Sequence, residues 1–199
     1  MLIVGTGGLG KEVMQILLTE KQTDSFYFFD ENPQCPSMLY DRFRVIKEFD
    51  ELKEYFDTVD KKFVTAIGHP RIREKVTAKI LAAGGIPGNV ISCNTYIFPF
   101  NEIPEGIIVQ PGVGISHGVK FGRFCAIHIN SSIGHSSFLG NYINVAPSVN
   151  IIGPVKIGDY SYISAGAVIM PHLEIGKNVI VEPGVVVKRD LKDFETYSG

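Results

Sequence analysis

Two places in the sequence combine residue types and spacing that could do chemistry. The first is Gly5-Thr6-Gly7-Gly8-Leu9-Gly10, which fits G-x-G-x-x-G. Glycines at that spacing let backbone N–H groups approach a phosphate at a helix start, where the helix dipole also favours negative charge. The fingerprint carries weight when a strand precedes it, a helix follows and an acid stands about 20 residues on. Leu2-Ile3-Val4 supplies the strand, Val13, Ile16 and Leu17 have helical spacing, and Asp30-Glu31 ends a second apolar run, Phe26 to Phe29. The implied ligand is a nucleotide diphosphate, with Asp30 or Glu31 hydrogen-bonding its base or ribose. A redox dinucleotide is disfavoured, because this segment makes only half of the usual doubly wound unit.

The second place is His135, in Ile133-Gly134-His135-Ser136. Imidazole is the side chain most often used for proton transfer in catalysis, which makes His135 a general-base candidate. His117 lies 18 residues earlier. Ser136 has no local orienting group and does not read as a nucleophile. His69, His128 and His172 read as structural or exposed. No His, Cys and Asp cluster has metal-ligand spacing, so no metal is expected. Cys35, Cys93 and Cys125 are widely spaced and form no CxxC, which argues against a disulfide framework or a zinc site and suits a reduced, cytoplasmic setting.

The elements that must position these residues fall into two halves. Residues 1 to 90 alternate strand and helix signals and read as a small Rossmann-like α/β domain with a parallel sheet. A third strand runs from Phe63 to Gly68, after a charged segment, Glu48 to Asp57. Gly68 then lies at the carboxyl edge of the sheet, where open α/β sheets bind ligands. His69-Pro70 opens a helix over Arg71 to Ala83, with Ile72, Val76, Ile80 and Leu81 on one face, and Gly84-Gly85 stops it.

From residue 91 to 190 the period changes to six. Every sixth residue from Ile91 to Val187 is apolar, seventeen positions in all. At 45% hydrophobic composition, chance would give such a run in about one frame in a million. Glycine often follows, as at Gly122, Gly134, Gly140, Gly158 and Gly176, and reads as a corner residue. A period of six is a hexapeptide parallel β-helix. Three hexapeptides close a triangular coil, the apolar residue points inward, and stacked coils about 4.8 Å apart satisfy each other's backbone. His117 then sits one coil below His135. No loop interrupts the frame, and a flat, partly apolar prism face suits cover by identical chains.

The chain has 199 residues, a formal net charge of −2 and 20% charged residues. One or two domains fit this length. There is no basic footprint, so no nucleic-acid partner is expected. No apolar run reaches the roughly 18 residues of a membrane span, and the N-terminus lacks the basic region of a signal peptide.

Taken together, the glycine loop, Ile67-Gly68 before Arg71-Ile72-Arg73, and Asn130 through Gly158 resemble the NeuD/PglD-type bacterial sugar acetyltransferases. The last segment carries Asn-Ser-Ser-Ile-Gly-His and Leu-Gly-Asn-Tyr-Ile-Asn-Val-Ala-Pro, and the resemblance covers nearly the whole chain. It implies a left-handed β-helix and a homotrimer with active sites between neighbouring chains. It implies a UDP- or other nucleotide-linked amino-deoxysugar held by Gly7, Gly8, Leu9, Asp30, Glu31 and Gly68. Acetyl-CoA would lie in the inter-chain groove against Asn144, Gly153, Ala165 and Pro183. His135 would take a proton from the sugar amine as it attacks the thioester directly, for surface glycan synthesis.

Three departures stand out. The family usually has Asp or Glu directly after the histidine, where Ser136 stands here. A further family histidine is Asn144 here. The family's Gly-Val-Pro-Ala-Lys-like tail has no match in residues 191–199, which read as a separate tail ending Tyr197-Ser198-Gly199. Two rival readings follow. One is an O-acetyltransferase on a sialic-acid-like hydroxyl, although an alcohol would need the His–acid pair that Ser136 breaks. The other is a catalytically lapsed β-helix that binds a sugar nucleotide or a partner enzyme.

Overall fold

The computed structural model describes residues 1–21 and 26–199. It divides into two compact units, Met1–Gly68 with Ile72–Val90, and His69–Arg71 with Ile91–Gly199. No helix among the described residues is long and apolar enough to cross a membrane.

The first unit is built on strands β1 (Leu2–Val4), β2 (Tyr27–Phe29), β3 (Met38–Leu39), β4 (Phe43–Ile46), β5 (Lys62–Thr65) and β6 (Ile86–Pro87). Their order in one sheet is β3-β4-β2-β1-β5-β6. All pairings are parallel except β3 with β4. The apolar run Leu2-Ile3-Val4 forms the centre because it is flanked on both sides, by β2 and β5, and is almost wholly buried. Helices α1 (Gly8–Thr19), α2 (Phe49–Thr58) and α3 (Pro70–Ala82) pack on this sheet. Helix α1 buries Val13, Ile16 and Leu17, and α2 buries Leu52, Tyr55 and Phe56.

Two features depart from the sequence reading. The hairpin of β3 and β4 is added, and its turn holds Tyr40 and Asp41 at φ of +53° and +50°. Those angles are usually given to Asn or Gly, so the residue types concealed the turn. In α3 the buried face is Arg73, Thr77 and Ile80, while Ile72 and Leu81 are exposed. The reason is polar. Thr77 Oγ1 donates to Thr65 Oγ1 at 2.9 Å, and Arg73 donates to the backbone at the end of β5.

The second unit is a parallel β-helix with 18-residue coils. Its three faces hold six, four and seven strands, with Tyr96–Ile97, Lys120–Phe121 and Val90–Ile91 as their respective first strands. Strands pair in parallel with those 18 residues on, as in Ile115↔Ile133, Ile133↔Ile151 and Ile151↔Ile169, and the spacing shortens to 16 only at the last coil, in Ile180↔Thr196. The in-frame residues from Val109 to Val187 line one continuous core, with Phe121 partly buried against it. Buried serines stitch coils together: Ser131 Oγ donates to Ala146 O at 2.8 Å and accepts from Val149 N at 3.2 Å. Residues 191–197 continue the winding rather than leaving it, since Leu191 bridges to Ile175 and Thr196–Tyr197 pairs with Ile180–Val181.

The glycines that follow the inward residues have a different purpose from the one read in the sequence. The left-handed corner angles fall elsewhere, on Phe124, Asn130, Ser136, Tyr142 and others, and on Gly106, Gly112, Gly118, Gly166 and Gly184. Gly122, Gly134, Gly140, Gly158 and Gly176 instead permit close approach of the next coil. A Cβ on Gly134 would lie 2.2 Å from Gly153 N, and one on Gly158 2.8 Å from Gly176 C.

Candidate active site

In the first unit, β1 runs into the glycine loop and α1 leaves it. Gly5 takes φ +105°, and a Cβ there would lie 2.9 Å from Ala66 O. A Cβ on Gly10 would lie 2.1 Å from Gly5 O, so glycine lets α1 begin against its own loop. Gly7 and Gly8 have nothing within 4 Å of such an atom and border open space. Gly7 caps α1 without a side-chain hydrogen bond, and no acid occupies the first turn. The N–H groups there are left for another acceptor.

A cavity of about 370 Å³ opens at this edge of the sheet. It is lined by Gly7, Gly8, Leu9, Asp30, Glu31 and Gly68, which brings together all six residues expected to hold the substrate. Ile72 and Val76 of α3 also line it.

The two acids are already engaged. Asp30 Oδ2 accepts from Thr6 N at 2.9 Å and Thr6 Oγ1 at 2.6 Å, and Oδ1 accepts from Asn32 N at 3.1 Å. Burial pushes the Asp30 carboxyl up, but the hydrogen bonds from Thr6 and Asn32 outweigh it and hold the group below its ordinary value. Glu31 pairs with Lys79 at 2.8 Å. Two residues were missed by sequence reasoning. Thr6 ties the glycine loop to Asp30. Arg73, 1% exposed, donates to Ile67 O at 2.6 Å and Gly68 O at 3.0 Å and so holds the Gly68 rim. An arginine three residues into a helix with no apolar partner at its position is the signal for such an anchor.

In the second unit, a cavity of about 960 Å³ lies along the first face, at its corner with the second. Its lining includes Tyr96, Phe98, His117, Gly134, His135, Ile152 and Gly153. His135 is exposed here, a direction that strand alternation alone could not settle because Ser136 turns the corner at φ +56°. The His135 and His117 rings stack, with centroids 5.3 Å apart and planes 5° apart. Gly153 follows one coil above, and a Cβ there would lie 2.1 Å from His135 O. Phe98 was not singled out from the sequence, because it lies off the 18-residue register of the histidines.

The residues expected to hold acetyl-CoA do not gather in one chain. Gly153 shares the cavity of His135. Ala165 and Pro183 are exposed one coil apart, at the corner between the third and first faces. Asn144 lies on the third face, 1% exposed, with Oδ1 3.2 Å from His128 Nε2 and with Nδ2 lacking a partner among the described residues. Among those residues, no three His, Cys, Asp or Glu side chains converge as a metal site.

Both halves of the chain match known families. Residues 1–80 match the PglD N-terminal domain, and residues 154–189 match the bacterial transferase hexapeptide, six repeats. A GDP-perosamine N-acetyltransferase of Escherichia coli O157:H7 is 30% identical over 172 residues, covering 84% of this chain and 76% of that protein. PerB from Caulobacter crescentus, solved in complex with CoA and GDP-perosamine, superposes with a TM-score of 0.88 at 26% identity, over 96% of this chain and 90% of that one. WeeI from Acinetobacter baumannii AYE superposes with a TM-score of 0.90 at 29% identity, over 100% of this chain and 95% of that one. With a relative this similar over most of both lengths, and with a PglD N-terminal domain joined to transferase hexapeptides, the chain belongs to the NeuD/PglD-type sugar acetyltransferases.

Proposed function

We propose that this enzyme transfers acetyl from acetyl-CoA to the amine of a nucleotide-linked amino-deoxysugar, with His135 as general base. The observation that carries the reading is the large corner cavity onto which His135 opens, on a hexapeptide coil of an acetyltransferase family. The glycine-loop cavity supports the substrate class, since α1 offers unclaimed N–H groups to a diphosphate. GDP-perosamine in the Caulobacter complex is one sugar nucleotide of this class; UDP-linked sugars belong to it equally. The first unit is read as Rossmann-like and the coil as left-handed, in keeping with the family.

The chemistry is direct transfer. The amine nitrogen forms a bond to the thioester carbonyl carbon, the C–S bond breaks, and CoA leaves as the thiol. His135 takes the proton released by the amine and passes it to the departing sulfur. Backbone N–H groups in the groove would stabilise the oxyanion. An amine suits this site better than a hydroxyl, because an alcohol needs stronger deprotonation and Ser136 supplies no carboxylate to help.

The division of the expected CoA contacts between corners supports a homotrimer. His135 and Gly153 would come from one chain, and Asn144, Ala165 and Pro183 from its neighbour, in a cytoplasmic enzyme of surface glycan synthesis. The test follows CoA thiol release with acetyl-CoA and a panel of GDP- and UDP-linked aminosugars. His135→Ala should bind CoA normally and lose about 10²–10⁴-fold in turnover. Wild-type protein that binds a sugar nucleotide yet transfers nothing would leave a binding protein instead. Full activity in His135→Ala would remove that residue from the mechanism.

A further inference from the structure

We propose that His117 is a positioning residue, which orients the His135 imidazole by stacking where a carboxylate would otherwise do so. The inference rests on the reading of His135 as the base. A base histidine needs its ring held in one plane, and a carboxylate on its second nitrogen is the usual means. Here the neighbouring residue is Ser136, whose Oγ is 3.4 Å from His135 Nδ1, a long contact for a hydrogen bond. Among the described residues, no Asp or Glu lines the cavity, and its titratable side chains are Tyr96, His117 and His135.

What holds the ring instead is built into the coil. His117 and His135 are one coil apart, with backbones locked in register by Ser116 N to Ile133 O and Ser136 N to His117 O, each 3.0 Å. Equivalent backbone directions bring the rings parallel, 5° apart in plane and 5.3 Å between centroids. That separation lies within the range of offset aromatic stacking. His117 is steadied in turn by the edge of Phe98, at 5.9 Å and 68°, and Phe98 rests on Phe100 at 5.6 Å. The column stops at His135, because the next residue in register is Gly153, which has no side chain. One face of the imidazole is therefore backed by His117, and on the other face the residue in register is a glycine. The support acts through a flat ring and needs no proton on His117.

Three variants test this by steady-state transfer kinetics beside His135→Ala. In His117→Ala, kcat should fall about tenfold or more, since a misplaced catalytic group costs up to about 10²-fold. The KM of both substrates should stay within about twofold, because the loss is of ring orientation rather than of binding. His117→Phe keeps a flat ring without nitrogens and should recover kcat to within about threefold of wild type. His117→Leu fills the space without a ring and should behave like His117→Ala, which separates stacking from packing if the alanine variant loses stability. Independently of turnover, crystal structures should show one His135 ring orientation in wild type and in His117→Phe, and more than one in His117→Ala. Unchanged kcat in His117→Ala overturns the proposal, and so does a single, wild-type His135 ring orientation in that variant. So does a His117→Phe enzyme as slow as His117→Ala, which would point to a hydrogen-bonding role. If His135→Ala keeps full activity, the base assignment itself fails, and that result is distinct from either.

Discussion

At the scale of single residues, Asp30 is the group whose surroundings say most. Its carboxylate holds Thr6 by both backbone and side chain, and thereby the glycine loop, rather than standing free for a ribose. Replacing it with Asn keeps the shape and removes the charge that strengthens those bonds. Asp30→Asn should raise the KM for the sugar nucleotide several-fold and leave the KM for acetyl-CoA unchanged, as initial rates will show. Because the folded-state carboxyl is held below its ordinary value, its contribution to stability is complete above about pH 4 and is lost as pH falls below that toward the lowered value. A series of melting temperatures between about pH 3 and pH 6 should therefore drop more steeply for wild type than for Asp30→Asn. Parallel curves would deny the carboxylate that role.

Elements meet in this protein at glycines, and the space around each predicts which of them are replaceable. Gly10 lets α1 start against its own loop, and Gly153 lets the next coil pass over His135. Gly10→Ala should destabilise by about 1–3 kcal/mol in urea unfolding, the usual cost of forcing atoms into a packed site. Gly153→Ala should carry a similar cost and also slow turnover, since the carbonyl it would strike belongs to His135. Gly114, which also lies in the coil, has nothing within 4 Å of where a methyl group would stand and should accept Ala with little change in stability. Equal melting points for Gly10→Ala and Gly114→Ala would refute this account. The β-helix also explains why Ser136 can stand at a left-handed angle: Ser136 N is held by His117 O of the coil below.

On the scale of the whole molecule, the question is whether one chain makes a complete site. The corner that carries His135 and Gly153 differs from the one that carries Ala165 and Pro183. If neighbouring chains share each site, two inactive variants should rescue each other. His135→Ala spoils one side, and Ala165→Trp would block the other with a bulky ring on an exposed position. Random mixing of the two in refolded trimers should restore about a quarter of the sites, since each site draws one side from each chain. Light scattering should give the trimer mass for both variants. No recovery, from variants that are both trimeric and both inactive, would place the whole site within one chain.

Much of this was legible in the sequence because it is a matter of linear spacing. Six-residue cadence is a local property repeated many times, so the apolar frame from Ile91 to Val187 determined the coil, its inward face and the 18-residue register that sets His117 below His135. The glycine loop with Asp30 after it likewise marked one edge of the sheet, and the six residues do share one cavity there. Tertiary structure alone decided the rest, because side-chain direction depends on backbone angles and distant partners that residue types do not display. It turned Asp30 onto Thr6, buried Arg73 in place of Ile72 and brought Phe98 under the histidine column. It also left the expected CoA contacts on separate corners, since a triangular coil sends residues nine or thirty apart toward different sides.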